Sequence, residues 1–79
     1  MPRPRVTETE TVLDAAARRL ASHGIASTTV DTVAAAADVS RATVYRYVGG
    51  KDEIVRAVIR REAENVLAQV TAVITASTS

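Results

Sequence analysis

The chain has 79 residues, a formal net charge of +1, no cysteine and only two aromatic residues, both tyrosine. That length allows one small domain, which buries about 60% of the surface its unfolded form exposes, and it offers no disulfide and no thiolate site. The longest apolar run is VAAAA at 33–37, well below the roughly 20 residues a membrane helix needs, and no signal peptide is visible in MPRPRVTETE, so a soluble, cytoplasmic protein is expected.

In chain order, residues 1–7 hold two prolines and two arginines before any periodic pattern begins, which predicts a flexible basic arm. A helix is predicted over 8–23. Thr7 with Glu10 three residues on forms a capping-box pattern. Leu13, Ala16, Ala17 and Leu20 supply its apolar stripe, and Gly24 its left-handed close. Thr29 caps a second helix over 30–37, with Asp31 in the first turn where an acid suits the helix dipole. After a connector of about three residues, Ser40 caps a third helix over 41–48, ended by Gly49-Gly50. A long fourth helix is predicted over 51–76, opened by Asp52 and Glu53. Its apolar stripe, Ile54, Val55, Val58, Ile59, Val66, Leu67, Val70, Val73 and Ile74, outruns what three short helices could cover. With three leucines and no Phe or Trp in the chain, the core must be thin, because alanine and valine each bury little area.

Charge distribution says more than net charge. Between Val39 and Lys51 stand three cations, Arg41, Arg46 and Lys51, and no anion, and both tyrosines fall among them. Two short helices joined by a tight turn, the second polar and basic, make the helix-turn-helix pattern. At about 100° per residue, Val44 and Val48 share the inward side of the third helix. Ala42, Thr43 and Arg46 take the outward side, Tyr45 an edge, and Arg41 the first turn. Such a helix fits a duplex major groove, where an arginine fork can discriminate for guanine by about 1–3 kcal/mol. Arg41, Ala42, Thr43 and Arg46 are therefore the candidate base readers. Ser40, Tyr45, Tyr47 and Lys51 suit phosphate oxygens or mixed contacts. Tyr47, nearer the buried side of the wheel, is equally readable as partly core. Arg3 and Arg5 are candidates for a minor-groove arm.

The stretch TTVDTVAAAADVSRATVYRYVGGKDEI resembles the DNA-binding domain of the TetR family of bacterial transcriptional repressors, most specifically in V-S-x-x-T-V-Y-x-Y-V-x-x-K at 39–51. The resemblance implies an all-α, homeodomain-like three-helix bundle over 8–52, with the helix-turn-helix in its second and third helices, followed by the long fourth helix. It places Thr43, Tyr45, Tyr47 and Lys51 at positions that meet DNA, Thr29 at a phosphate contact, and Arg41, Ala42 and Arg46 at variable reading positions. Asp38 stands where glycine is frequent, Leu20 and Val48 where phenylalanine is, Arg19 where an apolar residue is, and Gly49-Gly50 replaces a stiffer pair. The family further implies a C-terminal domain, absent from this chain, that dimerises and binds a small-molecule effector. The chain is accordingly expected to be the DNA-binding portion of a ligand-responsive repressor that binds a palindromic operator as a homodimer.

Other chemistries lack their residues. Gly49-Gly50-Lys51 has neither the preceding strand, the spaced glycine nor the following hydroxyl of a phosphate loop. His23 has no second ligand nearby, and no nucleophile–base pair is present. No enzyme, metal or cofactor is expected. The alternative function is a protein–protein module built on the stripe of the fourth helix. A membrane-surface helix over 54–74 is disfavoured by Glu62 and Glu64 on its polar face.

Overall fold

Local capping and four short apolar faces determine the architecture, which a computed structural model describes for residues 7–77. Four helices follow in order: α1 (Glu8–His23), α2 (Val30–Ala37), α3 (Arg41–Tyr47) and α4 (Lys51–Ser77). No strand occurs among the described residues. The fold is all-α, with α1 packed against the other three helices and α2 against α3. Arg3 and Arg5, the candidates for a minor-groove arm, lie outside the described residues.

The helix starts are satisfied as their side chains dictate. At α1 the Glu10 N–H donates to Thr7 Oγ1 at 3.1 Å and the Thr7 N–H to Glu10 Oε2 at 3.3 Å, which answers two of the orphan donors of a helix start. At α2 the Thr32 N–H donates to Thr29 Oγ1 at 3.2 Å and the Thr29 N–H to Thr32 Oγ1 at 2.8 Å. At α3 the Thr43 N–H donates to Ser40 Oγ at 3.1 Å.

The core gathers Val12 and Ala16 of α1, Val30, Val33 and Ala34 of α2, Val44 of α3, and Ile54 and Val58 of α4. Each fully buried valine or isoleucine contributes about 1.5–3 kcal/mol of transfer free energy. The predicted stripe of α1 is off-centre: Val12, Ala15 and Ala16 are buried, whereas Leu13, Ala17 and Leu20 are half-buried flanks. A helix touching three neighbours puts its narrowest side at the centre, where small residues permit close approach, and its leucines at the edges.

Two turns set the angle between helices. Gly24 has φ 78° as expected, but ψ 172° in place of the left-handed value. That extended exit turns the chain at once, and Thr28, buried and absent from the predicted core, donates from Oγ1 to the Gly24 carbonyl at 2.8 Å. Arg19 helps to hold this connector, its Nη2 lying 3.4 Å from the Ser27 carbonyl. Between α2 and α3, Asp38 adopts the left-handed conformation, φ 57° and ψ 45°. The Asp38 N–H reaches the Ala35 carbonyl at 3.2 Å and the Val39 N–H the Ala34 carbonyl at 3.0 Å. This is the Schellman pattern, which leaves Val39 half-buried against the core.

The third helix is one residue shorter than predicted. Val48 leaves helical geometry at φ −127° and serves as the cap, because Gly49 at φ 131° redirects the backbone into α4. Only glycine fits at 49: a Cβ there would lie 2.9 Å from Glu53 Cβ.

Candidate nucleic-acid interface

The turn at Asp38 and the cap at Ser40 hold α3 across the bundle with one side inward. Val44 is wholly buried, and Val48 is half-buried beside the core. Arg41, Ala42, Tyr45, Arg46 and Tyr47 are exposed. The structure thus brings the expected reading residues onto one accessible face, with two adjustments. Thr43 is half-buried rather than outward, and its hydroxyl shares a 2.8 Å hydrogen bond with Ser40 Oγ. It lies one residue before Val44, so the wheel turns it partly toward the bundle. Tyr47 is 43% exposed and Tyr45 48%, so neither ring is a core residue. Lys51 is half-buried at the start of α4, and Thr29 is exposed at the start of α2.

The arginines are held by neighbours. The Arg41 guanidinium sits 5.7 Å from the centroid of the Tyr45 ring, one helical turn on. Its Nε lies 3.5 Å from Asp31 Oδ1 in the first turn of α2. Tyr45 foremost, then the Asp31 carboxylate, push the Arg41 pKa up from its already high ordinary value, so this side chain keeps its charge. Arg46 stacks over Tyr47 at 5.6 Å. Cation and ring restrict each other's rotamers, so both tyrosines brace arginines as well as present hydroxyls.

Asp31 is the member of this face that sequence reasoning missed. It reads as a dipole-favoured acid in the first turn of α2, and nothing in its ten-residue separation from Arg41 reveals that the crossing of two helices makes them neighbours.

The capping hydroxyls retain a function to offer. An oxygen that accepts a backbone N–H keeps its own proton to donate. The contact from Thr29 Oγ1 to Thr32 Oγ1 is long, at 3.4 Å. Capping and a phosphate contact are therefore compatible at Thr29. Among the described residues no group of three or more His, Cys, Asp or Glu is placed to hold a metal ion, and no helix is long and apolar enough to cross a membrane.

Comparison with known proteins points to one family. The family profile described as bacterial regulatory proteins, tetR family, matches residues 12–58, which begin and end on the core residues Val12 and Val58. A TetR-like transcriptional regulator from Rhodococcus sp. RHA1 is 32% identical and superposes with a TM-score of 0.80, covering 90% of this chain and 39% of its own. The fatty acid degradation regulator FadR from Bacillus halodurans, 21% identical, has the same fold, with a TM-score of 0.74 over 89% of this chain and 36% of its own. The chain therefore spans less than half the length of either solved relative. No curated protein matches it.

Proposed function

The chain belongs to the tetR family of bacterial regulatory proteins, and from that premise we propose that it is the DNA-reading portion of a transcriptional regulator. In this reading α3 enters the major groove of an operator. Arg41, Ala42, Thr43 and Arg46 face base edges, while Thr29, Ser40, Tyr45, Tyr47 and Lys51 make phosphate or mixed contacts. Arg3 and Arg5 would add minor-groove contacts.

The observation that carries the reading is the two-sidedness of α3, with Val44 wholly buried and Arg41, Ala42, Tyr45 and Arg46 exposed. A short helix anchored by one valine presents its remaining side chains as a ridge, the shape a major groove admits. The larger protein acts in the cytoplasm as a homodimer on a palindromic operator, with half-sites about 34–36 Å apart or a multiple of that. A small-molecule effector, bound outside this segment, relieves repression by changing the separation of the two reading helices. These statements about the larger protein rest on the family.

The test is binding to duplexes selected from a random pool, followed across salt concentrations. Palindromic selected sites and a log–log slope of about −0.9 per phosphate contact are expected. Binding that ignores sequence and salt would contradict the reading.

A second reading has one observation in its favour. Ile59, Val66, Leu67, Val70 and Val73 are exposed along α4, which suits a helical protein partner. If that contact were the whole function, the arginines of α3 could be replaced without loss.

A further inference from the structure

We infer that Asp31 is a positioning residue for base recognition: its carboxylate pairs with the Arg41 guanidinium on the Nε side and biases the Nη1 and Nη2 edge outward as a two-pronged donor for a guanine. The inference rests on the reading of α3 as the base-reading helix.

Three observations support it. Asp31 Oδ1 lies 3.5 Å from Arg41 Nε, across the junction of two helices. The Tyr45 ring centroid lies 5.7 Å from the guanidinium, so the group is flanked by a carboxylate and a ring together. The backbone that carries Asp31 is ordered by the Thr29–Thr32 capping box that brackets it.

The chemistry follows from the shape of the guanidinium. Its five N–H donors form a rigid planar fork. Engaging Nε with a carboxylate leaves the opposite pair, which matches O6 and N7 of guanine. A long arginine that is already oriented loses less conformational freedom on binding. The carboxylate also acts by exclusion. An acid on a face that approaches DNA is repelled by phosphates, so a phosphate competing for Arg41 meets Asp31, while a neutral base edge does not. Asp31 thereby favours the base over the backbone as the partner of Arg41.

The same neighbours, Tyr45 and then Asp31, raise the Arg41 pKa, so the guanidinium stays charged beside the carboxylate. Both side chains of the pair are well exposed, at 63% for Arg41 and 71% for Asp31. Removing the carboxylate should therefore change recognition without unfolding the domain.

The experiment compares the protein with its Asp31→Asn, Asp31→Glu and Arg41→Ala variants. The probes are duplexes selected by the unaltered protein and the same duplexes with single base-pair replacements. Arg41→Ala should abolish the preference at one G·C pair in each half-site. Asp31→Asn should lower the preference at that same pair about two- to fivefold, with affinity for unrelated duplex unchanged or higher. Asp31→Glu should restore part of the preference, and thermal midpoints establish that each variant is folded. The inference is overturned if Asp31→Asn keeps the full preference that Arg41→Ala loses, or if it weakens binding to every duplex alike. If the unaltered protein selects no sequence, base reading by α3 fails and takes this inference with it. If only the Asp31 variants behave as wild type, base reading stands and the positioning role alone is lost.

Discussion

Arg61 of α4 donates from Nη1 to Asp14 Oδ1 of α1 at 2.7 Å, and its Nη2 lies 3.4 Å from the Leu13 carbonyl. Arg61 is the last side chain of α4 that is not exposed, and residues 62–77 beyond it are all exposed. The pair therefore closes the contact between the long helix and the bundle, one turn past Val58. Arg61 is largely covered, with 27% of its side chain exposed against 53% for Asp14, so the pair is only partly open to solvent. Arg61→Ala should cost about 1 kcal/mol, moderated because its buried Nε has no hydrogen-bond partner among the described residues. A double-mutant cycle with Asp14→Ala, read by chemical denaturation, should give a coupling of about 0.5 kcal/mol that shrinks with added salt.

Asp38→Gly should stabilise the domain by about 0.5–1 kcal/mol, because Asp38 holds a left-handed conformation that glycine adopts without a Cβ penalty. A higher thermal midpoint with unchanged DNA preference is the expected outcome. A fall would mean that the aspartate side chain contributes more than the backbone geometry reveals.

The two positive-φ glycines should respond differently to alanine. At Gly24 a new Cβ meets nothing within 4 Å, whereas at Gly49 it lies 2.9 Å from Glu53 Cβ and 3.0 Å from Glu53 Cγ. Both changes strain the backbone by about 1–3 kcal/mol, and the contact at 49 adds to it. Denaturation midpoints should place Gly49→Ala below Gly24→Ala.

The features legible in the sequence are those with local causes. The caps at Thr7, Thr29 and Ser40 follow from a hydroxyl reaching an N–H three residues on, and the turn at Asp38 from a residue type that tolerates positive φ. The outward placement of Ala42 and Arg46 follows from helical periodicity once Val44 is inward. What escaped depends on how helices cross. Val12 and Ala15 are central because α1 has three neighbours, and Thr28 is buried because the Gly24 exit folds it back. Asp31 with Arg41, and Asp14 with Arg61, meet only after the bundle has assembled. Tyr47, readable from the wheel as either rim or partly core, is at the rim because it ends a seven-residue helix, where the Arg46 guanidinium lies 5.6 Å from its ring centroid.

Among the residues of the reading face, Thr43→Ala should have a mixed effect. Its hydroxyl is tied to Ser40 Oγ, so the substitution loosens the α3 start as well as any base contact. A small drop in thermal midpoint should accompany the loss of specific affinity. Lys51→Ala should instead weaken specific and nonspecific binding alike and flatten the salt slope by about one unit, with no change in sequence preference.

The most direct measurement is the ratio of affinities for a selected duplex and an unrelated one, compared between the protein and Arg46→Ala. Arg46 is exposed on α3, with the ring of Tyr47 beside it, so its removal disturbs no core packing. If the outward side of α3 reads bases, the ratio should fall about tenfold or more while the thermal midpoint holds. An unaltered ratio in the folded variant would show that this side of the helix does not touch the bases.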